Sequence, residues 1–186
     1  MHLIALLVLS FVLGAPIQMS MTMPAPNPNC EVPAAQARLM LDATYDDFDQ
    51  AATGAASWRT LMNSGCYTGA AKVIVSYLEA HKAQLTAEQT RTLYFHAGQV
   101  TALGGDDRAS VPYFEKSRDA SATADWNAYV DATVAFLKND RDALAAARDA
   151  YAKVAKPGSP RLGVINGLLS CLGKPYKDGV NCRAGG

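Results

Sequence analysis

The segment Phe95-His96-Ala97-Gly98-Gln99 contains the residue types in this chain that are best suited to chemistry. His96 and Gln99 are three residues apart, so they share one face of a helix. An imidazole can act as a general base near neutral pH, and Gln99 or an acid from another helix, such as Asp131, could orient it. Apolar residues flank this histidine, however, and we favour a buried imidazole that is hydrogen-bonded inside a helical hairpin.

Other chemical motifs are missing from the sequence. It has no nucleophile elbow, HExxH motif, phosphate loop or dinucleotide fingerprint, so we predict no cofactor. It has no CxxC pair, and only His81 and His96 lie outside the N-terminal leader, so we predict no metal site either. Four aspartates could suggest calcium, but they follow a helix rather than a Gly-containing loop. We interpret them as a solvated helix face: Asp42, Asp46, Asp47 and Asp49.

The composition is that of a globular domain with a sizeable core, with 49% hydrophobic and 18% charged residues among 186. Seventeen basic residues balance seventeen acidic ones. This balance disfavours nucleic acid or an anionic membrane surface as a partner, and it favours a protein or a small molecule.

The first 30 residues contain no Lys, Arg, Asp or Glu, and Leu3 to Leu13 form an apolar run interrupted only by Ser10. This run is too short to span a bilayer but has the length of a signal-peptide core. We interpret residues 1–14 as a signal peptide, with a retained anchor as the alternative, and we place the mature protein in the periplasm or outside the cell. Residues 15–30 are rich in Pro and Met, which predicts a flexible segment before a single domain at 31–183.

Four cysteines in a chain with features of export favour disulfides over free thiols. Three pairings are possible. Cys171 with Cys182 is the most local, and it would leave Cys30 to pair with Cys66.

Helical periodicity dominates the rest of the chain, and no β-branched run alternates with period two, so we predict an all-α fold of about eight helices. Thr86 and Gln89 form a capping-box pattern at the start of a long helix. A ladder of small residues at Ala70, Ala109 and Ala143 recurs after 39 and then 34 residues, each time shortly after a turn. Such a spacing is typical of stacked helical hairpins, and a loop around Leu85 explains the longer interval.

The segment Ala109-Ser110-Val111-Pro112-Tyr113-Phe114-Glu115-Lys116-Ser117 resembles the second helix of a tetratricopeptide repeat. The resemblance extends from about Gly54 to Ala155, and the three ladder alanines fall where that family packs its two helices closely. It implies a right-handed stack of about three antiparallel hairpins, with capping helices at both ends.

In that family the first helix of each hairpin lines a concave groove in which partners bind. The matching positions are our candidates for partner contact: Arg59, Asn63, Arg91, Tyr94, Asp125 and Phe136. The resemblance therefore implies an exported interaction module that binds a protein or peptide. Two alternatives remain open, namely a small hydrolase or ligand-binding enzyme centred on His96, with a solvent-open pocket beside His96 and Gln99, and a structural subunit of an envelope assembly.

Overall fold

The computed structural model describes residues 23–182, and within that span the chain is all-helical and contains no strand. It forms nine α-helices and one π-helical turn at Asp46–Gln50. The helices are α1 (Ala34–Leu41), α2 (Arg59–Asn63), α3 (Tyr67–His81), α4 (Ala87–Leu103), α5 (Asp107–Ser117), α6 (Ala124–Leu137), α7 (Arg141–Val154), α8 (Pro160–Ser170) and α9 (Tyr176–Gly179). The all-α prediction is confirmed. The predicted signal peptide at 1–14 lies outside the described residues. Residues 15–22 of the segment expected to be flexible also lie outside them.

Three tight turns of the same kind join α2 to α3, α4 to α5 and α6 to α7. In each turn one residue takes the left-handed conformation, and these residues are Gly65, Gly105 and Asn139. The next amide then donates to the carbonyl five residues back, at 2.8, 3.2 and 2.9 Å respectively. This arrangement satisfies carbonyls that the end of a helix would otherwise leave unpaired. Consecutive helices therefore fold back and pack on each other, whereas the right-handed stack stays a prediction.

The ladder of alanines has a different physical basis from the one expected. Ala70 is fully buried, in agreement with close helix packing, but Ala109 and Ala143 are exposed. Their backbone amides instead donate to helix caps, since the side-chain oxygens of Asp106 and Asp140 each accept from the amide three residues later at 2.9 Å. The expectation of close packing is thus wrong for those two alanines.

The close contact between α4 and α5 lies at Gly98, two residues after His96. A Cβ atom at Gly98 would lie 2.9 Å from the ring of Phe114. The Phe114 ring occupies the space that a side chain at position 98 would need. This glycine therefore sets the distance between α4 and α5.

The cysteines form two pairs, Cys30 with Cys66 and Cys171 with Cys182, with Cα–Cα distances of 5.4 and 6.2 Å. Of the three pairings that the sequence left open, the structure contains the one with the most local pair, and the prediction of disulfides rather than free thiols is confirmed. The first pair ties residues 23–30, which form no helix, to the start of α3, and the amide of Asn27 also donates to the carbonyl of Gly65 at 2.9 Å. The second pair lies beyond α8 and encloses α9.

Helix α9 is short, but its first residue is a core residue. Tyr176 is only 2% exposed, and its ring centroid lies 6.0 Å from that of Phe114 and 6.3 Å from that of Phe136. The end of the described chain thus packs against α5 and α6. Between residues 23 and 182, no helix has both the length and the apolar character needed to cross a membrane.

Candidate functional site

A pocket of about 890 Å³ opens on the face formed by the first helices of the hairpins. Helix α4 contributes the largest share of its lining, and α2, α6, α8 and the π-helical turn complete it. Its volume falls in the range of roughly 300–1,000 Å³ that is usual for small-molecule sites. His96 and Gln99 both line it, so a pocket of the kind that the enzyme alternative requires is present beside them.

The floor of the pocket is supported from behind by Asp49, which is fully buried in the π-helical turn and does not itself line the pocket. One carboxylate oxygen lies 2.7 Å from Nδ1 of His96 and accepts from Nε1 of Trp58 at 2.9 Å. The other oxygen accepts from the side-chain Nε2 of Gln50 at 2.7 Å. Arg59 adds a hydrogen bond to the backbone carbonyl of Asp49. Residues from α2, α4 and the turn are therefore joined through one carboxylate.

Asp49 is ionised in this environment. Burial on its own would raise the pKa of the carboxyl, but the hydrogen bonds from His96 and Trp58 and the charge of Arg59 together hold that pKa below its usual value. A carboxylate only accepts hydrogen bonds, so Nδ1 of His96 carries a hydrogen. The opposite ring nitrogen, Nε2, makes no hydrogen bond within the described residues, and the ring lines the pocket.

Three arginines surround this floor. The guanidinium of Arg59 lies 4.2 Å from the centre of the Trp58 ring. Those of Arg91 and Arg161 lie 5.8 and 5.5 Å from the centre of the Trp126 ring. The wall of the pocket therefore combines cationic groups with an aromatic surface, which suits a ligand that carries negative charge.

The structure brings together two of the six predicted groove residues, Arg59 and Arg91, both of which line the pocket. Asn63 is exposed at the end of α2, outside the pocket, and Asp125 precedes Trp126 without lining the pocket. The ring of Tyr94 lies 5.5 Å from the ammonium of Lys116, also outside the pocket. Phe136 is only 3% exposed because α9 covers it.

The partner of His96 differs from the two that were expected. Asp131 instead forms a bidentate ion pair with Arg118, at 2.8 and 3.2 Å, and Gln99 lines the pocket without a hydrogen bond to His96 within the described residues. The solvated-face interpretation agrees with the exposure of Asp42, Asp46 and Asp47 but is wrong for Asp49. In the described part of the chain, no cluster of three or more His, Cys, Asp or Glu side chains is placed to hold a metal ion.

Comparison with models of known families, with curated proteins and with solved structures gives no match for this chain. The residues of the pocket are therefore the basis for a functional proposal.

Proposed function

We propose that the protein is an exported helical-repeat module that binds a protein or peptide partner, and that a segment of this partner enters the pocket. The observation that carries the proposal is the position of the pocket: its lining comes from the first helices of consecutive hairpins. In the tetratricopeptide family that the sequence resembles, this is the face on which partners bind.

Export is supported by two features. The two disulfide-distance cysteine pairs are compatible with an oxidising compartment. The uncharged, apolar start of the chain has the length of a signal-peptide core. We therefore expect the partner in the periplasm or outside the cell.

The test is a crosslinking pull-down from the native envelope that compares two variants with the same added bulk. Thr123 is exposed at the edge of the pocket, and Asn63 is exposed outside it. Thr123→Trp should block the pocket and lose the partner, whereas Asn63→Trp should retain it. Circular dichroism of both variants should show unchanged helicity. Capture of the same partner by both variants would contradict the proposal.

A second candidate function, general-base catalysis, is favoured by the pair of Asp49 and His96. A buried carboxylate that fixes one imidazole nitrogen leaves the other free to take a proton from a bound water as this water attacks an ester. The bond from the ester to its alcohol group then breaks, and the imidazolium returns the proton to the leaving alcohol. Proton transfer by a positioned side chain contributes roughly 10²–10⁴-fold to a rate.

The enzyme candidate is tested with p-nitrophenyl acetate and bis(p-nitrophenyl) phosphate. It requires that the wild type hydrolyse one of them, and that His96→Gln lose this activity by roughly 10²-fold or more while its helicity is retained. Equal rates for the wild type and His96→Gln would show that His96 has only a structural role.

A further inference from the structure

Arg91 and Arg161 are held beside the same indole, although they come from α4 and α8 and the indole comes from α6. Both guanidiniums lie within 6 Å of the centre of the Trp126 ring, at 5.8 and 5.5 Å. The indole is itself fixed, because its Nε1 donates to the backbone carbonyl of Ser117 at 2.9 Å. The indole that both cations approach is therefore held in place by the fold.

Neither cation is neutralised by a hydrogen-bonded carboxylate among residues 23–182. Glu88 is the nearest acid to Arg91, at 3.7 Å, but its side chain is 77% exposed. Arg161 makes no ion pair within 4.0 Å in this part of the chain, and the charges of Asp119 and Asp125 act on the two arginines from farther away. Arg59, by contrast, already bonds Asp49.

The side chain of Arg91 also has an unsatisfied donor. Its Nε is buried and has no hydrogen-bond partner within the described residues, while the side chain as a whole is 15% exposed. Two like charges near one ring repel each other. An anion beside the two guanidiniums, bound by their accessible N–H groups, would relieve this repulsion.

Helix ends add to this positive potential. The first turns of α4, α6 and α8 all border the pocket, with Thr86, Thr123 and Arg161 in its lining. The amino end of a helix carries a partial positive charge, which favours an anion nearby. Asp46 and Glu88 also line the pocket, and they disfavour an anion on their own side of it.

We infer that Arg91 and Arg161, together with Trp126, form a binding subsite for an oxyanion of the ligand. A guanidinium fork fits a carboxylate and a phosphate equally well. The subsite rests on the proposed function in one respect, namely that it takes the pocket as the place where the ligand binds. Its chemistry gives the partner segment an acidic character.

Two tryptophans make the test direct, because each gives one indole signal in a ¹H–¹⁵N NMR spectrum, and Trp126→Phe assigns them. The full-length mature protein is titrated in one series with sodium phosphate and in another with N-acetyl-aspartate. Sodium chloride at matched ionic strength is the reference. A saturable shift of the Trp126 signal, with little change at buried Trp58, is expected. A phosphate response alone identifies a phosphate-bearing ligand, and a response to N-acetyl-aspartate alone identifies a carboxylate.

Arg161→Gln should weaken binding of the responding anion about tenfold or more, since a hydrogen bond to a charged group is lost. Arg161 is exposed, so this variant should fold even if Arg91→Gln does not. Lys116→Gln, which removes a cation that stacks on Tyr94 outside the pocket, should bind like the wild type. No saturable shift with either anion, or unchanged affinity in Arg161→Gln, would overturn the subsite.

Failure of the subsite and failure of the proposed function are distinguishable. A partner that is captured by the wild type but not by Thr123→Trp, together with no anion response, supports the proposed function and removes the subsite. An anion response that is lost in Arg161→Gln, together with equal capture of the partner by Thr123→Trp and Asn63→Trp, supports the subsite and contradicts the proposed function.

Discussion

Asp49 connects three separate parts of the chain, so its loss should be more costly than that of any exposed aspartate. In Asp49→Ala, His96 and Trp58 lose their shared acceptor inside the fold. A buried donor that loses its acceptor typically costs about 1–3 kcal/mol. We expect a loss of this size in urea unfolding monitored by circular dichroism.

The matched control for this prediction is Asp42→Ala. Asp42 also pairs with an arginine, Arg38 at 3.6 Å, but both side chains are highly exposed, at 71% and 85%. Exposed pairs of this kind contribute little to stability. Equal losses in Asp42→Ala and Asp49→Ala would show that the buried network does not stabilise the fold.

The lowered pKa of Asp49 predicts that the stability of the fold depends on pH. Because the folded state holds the pKa of Asp49 below its ordinary value, the unfolded chain binds more protons between the two values, and stability rises with pH there. The contribution is complete above the unfolded pKa of about 3.9 and is lost as the pH falls through the lower folded value. Urea midpoints measured from pH 2 to 6 should fall more steeply in acid for the wild type than for Asp49→Asn. Parallel curves would contradict this assignment.

The resemblance to tetratricopeptide repeats implied Arg59 and Arg91 as partner contacts, and both line the pocket. Sequence reasoning missed Asp49, since this residue meets Trp58 and His96 only through the tertiary fold. The separations are 9 and 47 residues, and neither matches a helical spacing. The π-helical turn that buries Asp49 has no sequence signal comparable to the capping box at Thr86, which the structure contains as predicted.

At the level of elements, the hairpin turns offer a matched pair of substitutions. Gly65 and Gly105 both have positive φ, of +77° and +97°. A Cβ atom at Gly65 would collide with the backbone carbonyl of Ala25, whereas one at Gly105 meets open space. An L-residue in the left-handed conformation costs roughly 1–2 kcal/mol.

Gly105→Ala should therefore lose about that much stability, and Gly65→Ala should lose more because the N-terminal segment must also move. Urea unfolding compares the totals. Hydrogen exchange of the Asn27 amide, which bonds the Gly65 carbonyl at 2.9 Å, reports the local displacement. The prediction fails if Gly105→Ala is the more damaging change, or if Asn27 exchanges equally in both variants.

The hairpin pattern was predictable because turns, caps and periodicity are local. The structural role of each alanine in the ladder was not predictable. A small residue that lies three positions after a helix cap and one that packs between helices recur at the same spacing in the sequence. Aspartate caps explain Ala109 and Ala143, and tight packing explains Ala70. The residue that sets the distance between α4 and α5 is Gly98, two residues after His96.

Across the whole molecule, the face formed by the first helices has two parts. Its open part is the arginine-lined pocket. Its other part is covered by the chain itself, because α9 lies on Phe136, one of the residues predicted to contact a partner. Burial raises the pKa of Tyr176 at the start of α9, in keeping with a phenol enclosed in the core. The Cys171–Cys182 pair encloses this covering segment.

Removing each cysteine pair should therefore affect a different part of the molecule. In the chain-entropy description, a disulfide stabilises more when it closes a longer loop, which gives about 4 kcal/mol for the Cys30–Cys66 pair and about 3 kcal/mol for the Cys171–Cys182 pair. The sequence separations are 36 and 11 residues.

Cys171→Ala with Cys182→Ala should speed hydrogen exchange in α9 and leave that of residues 23–30 unchanged, and Cys30→Ala with Cys66→Ala should do the opposite. If α9 exchanges at the wild-type rate without its disulfide, then the packing of Tyr176 alone holds this segment on the face, and the bridge adds nothing to its cover.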